Sequence, residues 1–204
     1  MNSSVSIEEF GKDNGLIHEA VVTGRKVGAG REFWSRLAHD ENLFREVIAR
    51  VVGMIVAPQP FDSVQLIGKG WSLIAEEHDA RNDALTEVYF AKVNFDTCLK
   101  DGESCIKGEE KLKRMKVNSN IRLGATTFMG LWEDYQAKGK DSILERLHQE
   151  RGITYLDFFG DVLLTPRGNR RVLFLYRHGD VWHWRYSWLG HGWLAEYFSL
   201  SLAG

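Results

Sequence analysis

The sequence holds few of the residues that fix a fold through covalent or metal cross-links. Its 2 cysteines among 204 residues are too few for a disulfide framework, and too few by themselves for a cysteine-based zinc site. No apolar run approaches the ~18 consecutive residues of a membrane span. Residues 1–10 contain Glu8 and Glu9 in place of the apolar core of a secretory signal. We therefore expect a cytoplasmic protein with no membrane partner.

Motifs for catalysis or cofactor binding are missing as well. The chain contains no G-x-S-x-G, no H-E-x-x-H and no complete phosphate-binding glycine motif. Its 26 basic and 28 acidic residues give a net charge of −2, so no overall field would draw the chain onto nucleic acid or an anionic membrane. We predict no cofactor, and any contact with nucleic acid must be local.

Proline is scarce, and the segment Pro58-Gln59-Pro60 divides the chain because neither ring continues a helix or a central strand. Before it, apolar residues at helical spacing predict helices within Ser6–Gly53, with Asp40 as the N-cap of a helix that begins at Glu41. We assign residues 1–57 to an N-terminal helical segment and residues 58–204 to an α+β domain. The two parts are expected to form one compact unit.

The periodicity after Pro60 alternates between strand and helix patterns, with no internal repeat. Strands are predicted at Ser63–Ile67, Trp71–Ala75, Val88–Phe95, Ser104–Ile106, Thr154–Thr165, Arg170–His178, Val181–Trp188 and Trp193–Leu200, and helices at Glu109–Lys116, Leu123–Ala137 and Asp141–Glu150, the last capped by Asp141. The basic residues of the first of these helices, Lys111 among them, are interpreted as a solvated face. The predicted fold class is α+β, with N-terminal helices packed beside a mostly antiparallel sheet that ends in an aromatic-rich β-meander.

The two cysteines flank an Asp101-Gly102 pair, which is a strong signal for a two-residue hairpin loop. Such a loop would make Cys98 and Cys105 direct cross-strand partners, close enough for a disulfide. In a reducing compartment we expect two free, packed thiols instead.

The clearest pattern in the chain is the pair of alternating runs on either side of Gly179-Asp180, which predicts a β-hairpin. With that loop, Arg171 lies opposite Trp188 and Arg177 lies opposite Trp182. Directly opposed residues share a face. One face then carries Leu173, Leu175, Trp182, Trp184, Tyr186 and Trp188, together with Arg171 and Arg177. We expect this aromatic face to be buried, because apolar periodicity more often marks a core than a ligand platform.

Two hypotheses for a functional site arise from the same hairpin. If part of the aromatic face is exposed, Arg171, Arg177, Trp182 and Trp184 would form a platform for single-stranded nucleic acid, since aromatic rings interleaved with arginine stack unpaired bases. Residues 162–188 contain five arginines against one aspartate, which favours this alternative locally. In the second hypothesis His178, Asp180 and His183 hold a metal ion for a hydrolase. The two histidines would lie diagonally on one face, ~7 to 8 Å apart.

One further pattern is familiar. It consists of Phe33-Trp34 before Leu37-Ala38 and Asp40, then Gly70-Trp71, Leu99 to Gly102-Glu103, Gly108-Glu109, and Trp182, Trp184 and Trp188-Leu189. From about Arg31 onward it resembles a group of small uncharacterised proteins from genome-reduced candidate-phylum bacteria. That group has no assigned activity or site, so the resemblance implies no role for any residue here.

The leading functional hypothesis is a non-enzymatic binding or interaction module that uses the C-terminal sheet or its rim, with a protein as one kind of partner. It depends mainly on the missing chemical motifs. The single-stranded nucleic-acid binder and the metal-dependent hydrolase are its alternatives.

Overall fold

A computed structural model describes residues 17–18, 20–26, 28–51 and 54–204. The chain divides into two compact units, residues 1–48 and residues 49–204. The predicted boundary at residue 57, and the expected packing of both parts into one body, stay predictions. None of the helices in the described part combines the length and apolar character required to cross a membrane.

The N-terminal unit is helical. Residues 20–26 are helical and are followed by α1 (Arg31–His39) and α2 (Glu41–Val51), which continues past the end of the unit. The side chain of Asp40 accepts a hydrogen bond from the N–H of Leu43 at 3.0 Å, which confirms the predicted N-cap. The predicted helix start near Ser6 and helix end near Gly53 lie outside the described residues.

The second unit contains the remaining elements in the order β1 (Ile55–Val56), α3 (Ser63–Leu66), β2 (Ser72–Leu73), β3 (Val88–Tyr89), β4 (Asn94–Asp96), β5 (Cys105–Lys107), α4 (Gly108–Val117), β6 (Ile121–Arg122), α5 (Ala125–Lys138), α6 (Ile143–Arg151), β7 (Tyr155–Leu164), β8 (Arg170–His178), β9 (Val181–Trp188), β10 (Gly192–Leu194) and β11 (Phe198–Leu202). Short 3-10 turns occupy Ala75–Glu77, Ala80–Ala84 and Gly139–Asp141.

Within the described residues, the main sheet has seven strands. Its central path runs β4-β11-β7-β8-β9, with β2 paired to β7 and β6 paired to β11. The β11–β7 pair is parallel and the other pairs of this sheet are antiparallel. The predicted α+β class with a mostly antiparallel sheet is therefore confirmed.

Helices cover different parts of the two faces of this sheet. On the first face, α5 and α6 contribute Phe128, Leu131, Ile143, Leu144 and Leu147 to a core that includes Leu173, Leu175 and Trp182. On the second face, α4 and the β5–β10 ladder form a smaller core around Phe159 and Trp193. What the helices leave uncovered on each face determines where a ligand can reach the sheet.

The hairpin of β8 and β9 has the register that the sequence predicts. Arg171 pairs with Trp188, Leu175 with Trp184, and Arg177 with Trp182. The turn places Gly179 at a φ of 58°, a conformation in which glycine has no steric penalty. The period-2 pattern and the turn residues together predicted this element in detail.

Several local predictions are wrong because side chains form unforeseen contacts. Ser63–Ile67 is helical over α3 instead of extended, since the Asp62 carboxylate accepts the N–H groups of Val64 and Gln65. The helix α6 is capped by Ser142 rather than Asp141, which lies in the preceding 3-10 turn. Trp71–Ala75 is a strand only over β2.

Two other predicted strands are interrupted. Val88–Phe95 divides into β3 and β4, which pair with β1 and β11 respectively. Trp193–Leu200 divides into β10 and β11, which belong to different sheets.

The cysteines are not cross-strand partners. Cys105 pairs with Leu194 of β10, and Cys98 lies beyond the end of β4 with a φ of 59°. Both thiols are free, as expected, but Cys105 is exposed rather than packed. Burial raises the pKa of the Cys98 thiol to about 11, so this thiol is inert at neutral pH.

A β-bulge in β7, between Phe158 and Leu163, brings the backbone of Gly160 against the segment that links β6 to α5. The N–H of Gly160 donates to the carbonyl of Leu123 at 2.9 Å. A Cβ at Gly160 would collide with the backbone of Arg122 and Gly124, so glycine is required by this close approach. The bulge also places Asp161 at the first residue of α5, where its Oδ2 accepts the N–H of Ala125 at 2.7 Å.

Candidate functional site

The aromatic face of β9 is buried at one end and exposed at the other. Trp182 is fully buried, and Trp184 is half-buried with its ring edge-to-face against Phe128 of α5. Tyr186 is 38% exposed and Trp188 is 42% exposed. The exposure rises along β9 because α5 and α6 cover the half of this face that carries Trp182 and Trp184.

The open end of this face carries four side chains, Trp71, Arg171, Tyr186 and Trp188, which we call the aromatic end. The rings of Trp71 and Tyr186 lie 4.4 Å apart, centre to centre. The guanidinium carbon of Arg171 lies 5.8 Å from the Tyr186 ring centre, within the range of a cation–π interaction. Arg171 pairs directly with Trp188 across β8 and β9. Trp71, Arg171 and Tyr186 therefore form one contiguous surface at the rim of the sheet, and the Trp188 ring next to them packs against His191 and Gly190.

Trp71 reaches this surface because of a tight glycine turn. Gly70, with a φ of 84°, immediately precedes Trp71, and a side chain at Gly70 would run into Pro166. Ser72 then pairs with Leu164 of β7. The turn before β2 and the turn between β7 and β8 thus lie side by side at the aromatic end.

The charges around the aromatic end are basic. Residues 67–74, 162–172 and 181–195 contain no acidic residue, and Asp180 lies at the opposite end of the hairpin. Lys69 and Arg167 are exposed on the two adjacent turns. Arg171 is half-buried, and its Nε has no hydrogen-bond partner among the described residues. Arg170 differs, because it forms ion pairs with Glu77 and Glu109.

Of the four residues predicted for a nucleic-acid platform, the structure brings only Arg171 to the open surface. Arg177 donates to Glu145 at 3.3 Å and to the carbonyl of Gly179 at 2.5 Å. Trp182 and Trp184 pack against the helices. The predicted combination of Arg171, Arg177, Trp182 and Trp184 therefore does not form an exposed platform, because the covered half of the face includes three of them.

The proposed metal ligands are not brought together. Asp180 has 96% of its side chain exposed and lies 3.4 Å from Arg177, while the ring of His183 contacts that of Tyr176 at 5.3 Å. No group of three His, Cys, Asp or Glu side chains in the described part of the chain is arranged to hold a metal ion. His178 is exposed at the hairpin end.

A second row of aromatic side chains crosses the opposite face of the sheet. The Tyr155 ring stacks on Tyr197 at 3.9 Å and on Phe174 at 4.6 Å, each at an angle of 16°. Phe174 continues to Tyr176 at 5.5 Å. Both faces of Tyr155 are occupied by its neighbours, so this row offers ring edges rather than free ring faces. It is a poorer stacking surface than the aromatic end.

Beneath that row is a buried ion pair. Lys111 and Asp157 are both fully buried, with the ammonium 3.3 Å from Asp157 Oδ2 and 2.7 Å from the carbonyl of Tyr197. Burial raises the pKa of Asp157 to about 6, and the positive charge of Lys111 opposes that effect. The interpretation of Lys111 as part of a solvated helix face is wrong, because α4 turns this residue onto the sheet.

The ring of His78 lies between two carboxylates. Its Nδ1 lies 2.7 Å from Asp161 Oδ1, and its Nε2 lies 3.2 Å from both oxygens of Asp83. Burial lowers the pKa of His78, but hydrogen bonds and charge from Asp161 and Asp83 outweigh it and hold the pKa above its usual 6.5. A buried carboxylate that orients a histidine also occurs in catalytic triads, but here Asp83 occupies the second ring nitrogen. The arrangement fastens the Ala75–Ala84 segment to β7.

Because the pKa of His78 is raised on folding, its contribution to stability is complete below about pH 6.5 and is lost as the pH rises through the higher folded value. We expect the urea midpoint of the wild-type protein to exceed that of the His78→Gln variant most in mild acid. This gap between the two midpoints should close in alkaline solution. Urea titrations at a series of pH values measure this. A gap that stays constant with pH would show that folding does not raise the pKa of His78.

A neighbouring cluster has the opposite pH dependence. Burial raises the pKa of Asp79, but hydrogen bonds from Arg81 and from the backbone N–H of Arg122, with the charges of both arginines, hold it at about 2. The Arg81 side chain continues to the carbonyls of Ser119 and Asn120. This cluster therefore holds the segment that precedes β6 in place. Its contribution to stability is lost only as the pH falls from about 3.8 toward 2.

Sequence reasoning missed Trp71 as a partner of the hairpin. The sequence placed it in a strand, but no local signal links it to Tyr186, which lies more than one hundred residues later. The only hint was the Gly68-Lys69-Gly70 turn, which forces a sharp change of direction before it.

No family model, no curated protein and no solved structure matches this chain.

Proposed function

We propose that the protein is a non-enzymatic binding module that holds its ligand on the aromatic end of the sheet. The observation that carries the proposal is the exposure of Tyr186 and Trp188, at 38% and 42%, next to Trp71 and an arginine without an ion-pair partner among the described residues. Soluble proteins rarely expose a large contiguous apolar patch, and such a patch often marks an interaction site. Tryptophan, tyrosine and arginine are the residues that dominate binding energy at such sites.

The chemistry of these side chains favours binding over catalysis. Trp71, Tyr186 and Trp188 supply ring faces and edges, and Arg171 supplies a cation that stays protonated at all relevant pH values. All four groups can stack on or orient a planar ligand, whereas among them the Tyr186 hydroxyl alone can transfer a proton. The ligand class that fits is therefore one with a planar or ring-shaped group.

The position of the site favours a preformed surface. Arg171, Tyr186 and Trp188 project from paired strands, and Trp71 is held by a turn that packs on Pro166. Side chains on paired strands lose less conformational freedom on binding than side chains on free loops.

The test uses two uncharged probes, adenosine and a neutral oligosaccharide, added at millimolar concentration to the nitrogen-15-labelled full chain. We expect the indole N–H signals of Trp71 and Trp188 to shift with at least one probe, while those of the buried Trp182 and Trp193 stay in place. Trp188→Ala should weaken the response at Trp71. His183→Ala, on the opposite face, is the matched control and should leave it unchanged.

Two results would overturn this proposal. One is the absence of any shift at Trp71 and Trp188 with either probe. The other is an equal loss of response in Trp188→Ala and His183→Ala, which would place the interaction elsewhere.

A further inference from the structure

We infer that the ligand of the aromatic end is single-stranded nucleic acid, an inference that rests on the function proposed above. The rings would stack on unpaired bases, and the surrounding cations would contact the phosphates.

The first support is the sign of the local charge. Lys69 and Arg167 are exposed on two turns that touch through Gly70 and Pro166, and Arg171 pairs with Trp188 and places its guanidinium over the Tyr186 ring. None of these three cations has an ion-pair partner in the described residues, whereas Arg170 next to them is neutralised by Glu77 and Glu109. A neutral sugar gains nothing from three unpaired cations, but a phosphate backbone does.

The second support is the shape of the surface. The rings lie at the rim of a sheet, and α5 and α6 of the same unit pack on the other half of this face. Rings on a sheet reach bases only when the bases are unpaired and splayed out. The surface therefore selects single strands over duplexes.

The third support is the difference between the two faces. The row around Tyr155 on the opposite face has its ring faces occupied by Tyr197 and Phe174. Arg185 of that face donates to the hydroxyl of Tyr176 at 3.1 Å. That face therefore provides a control surface with a similar composition, in which both faces of the Tyr155 ring are already occupied.

Because the chain as a whole has a net charge of −2, long-range attraction contributes little, and binding should depend on the few local contacts. With about three phosphate contacts to a single strand, raising the salt concentration fourfold should weaken binding about 20-fold.

The experiment measures fluorescence anisotropy of labelled oligothymidylate, oligouridylate and a matched DNA duplex with the full chain. We expect both single strands to bind more tightly than the duplex and more tightly than adenosine. Trp71→Ala or Trp188→Ala should weaken single-strand binding about 5- to 100-fold. Arg167→Glu should weaken it several-fold and flatten its salt dependence by roughly one contact. Arg185→Glu, an equal change of charge on the opposite face, should have no effect.

The outcomes separate the two proposals. If adenosine shifts the Trp71 and Trp188 signals but the oligonucleotides bind no more tightly than adenosine, the stacking function stands and the nucleic-acid inference is wrong. The inference is also wrong if Arg185→Glu weakens binding as much as Arg167→Glu, or if the duplex competes equally. If neither adenosine nor the oligosaccharide shifts the Trp71 and Trp188 signals, the proposed function fails and the inference that rests on it fails with it. Unfolding curves of each variant confirm that a loss of binding is not a loss of fold.

Discussion

Replacing Trp182 with alanine is expected to lower the free energy of unfolding by about 3–5 kcal/mol. Trp182 is completely buried in the core formed with α5 and α6, and its backbone N–H donates to the hydroxyl of Tyr135 at 3.2 Å. Removing the indole leaves a cavity between the sheet and both helices, which such a core cannot close fully. Chemical denaturation followed by circular dichroism measures the change.

The matched control is Trp188→Ala, at the other end of the same strand and the same face. Trp188 is 42% exposed, so this variant should lose less than about 1 kcal/mol. Trp182→Phe, which keeps an aromatic ring in the core, should lie between the two. Equal losses for Trp182→Ala and Trp188→Ala would contradict the exposure gradient on which the candidate site depends.

Replacing Lys111 with methionine is expected to lower the free energy of unfolding by about 3–5 kcal/mol at neutral pH, because it leaves the carboxylate of Asp157 buried without its counter-charge. Both side chains of this pair are fully buried, so water cannot substitute for the lost ammonium group. The variant also removes the hydrogen bond to the carbonyl of Tyr197. Urea titration at neutral pH measures the loss.

Two controls separate charge from packing. The double variant Lys111→Met/Asp157→Leu removes both charges and should recover most of the stability, since an apolar pair in a buried position is often neutral or stabilising. Burial already raises the pKa of Asp157 from 3.8 to about 6. Between these two pH values the folded chain keeps a proton on Asp157 that the unfolded chain has lost. The free energy of unfolding therefore falls as the pH rises through this range. The deficit of Lys111→Met should therefore shrink in mild acid. A deficit that is independent of pH and persists in the double variant would point to packing alone.

The sequence predicted the hairpin of β8 and β9 in detail because all of its determinants are local. The alternation of apolar residues has a period of two, and Gly179-Asp180 sets the loop, so each cross-strand partner follows by counting. The helices α4, α5 and α6 were likewise predicted from the periodicity of their apolar residues. Elements shorter than four residues, such as β1, β3 and β6, have no periodicity to detect.

The position of the candidate site was not accessible in the same way. Periodicity assigns Trp182 and Trp188 to one face, but it does not say that two helices stop halfway along that face. The predicted platform therefore included Trp182 and Trp184, which are covered, and omitted Trp71 and Trp188. Only Arg171 belongs to both versions.

The charge pattern around Lys111 led to a wrong prediction for the same reason. Lys111 stands among basic residues on a short helix, which is typical of a solvated face. Its counter-charge, Asp157, lies 46 residues further along the chain. Burial of a lysine depends on such distant partners, and a single sequence does not display them.

The order of strands in the sheet has a consequence for biosynthesis. The strand β11 is flanked by β4, β6 and β7, although it follows all three in the sequence. While the chain emerges from a ribosome, the local hairpin of β8 and β9 can form early, but β4 and β6 stay without their partner until β11 has been translated. Their edges have no strand partner during that interval, so the nascent chain is most open to association with other strands before β11 is translated.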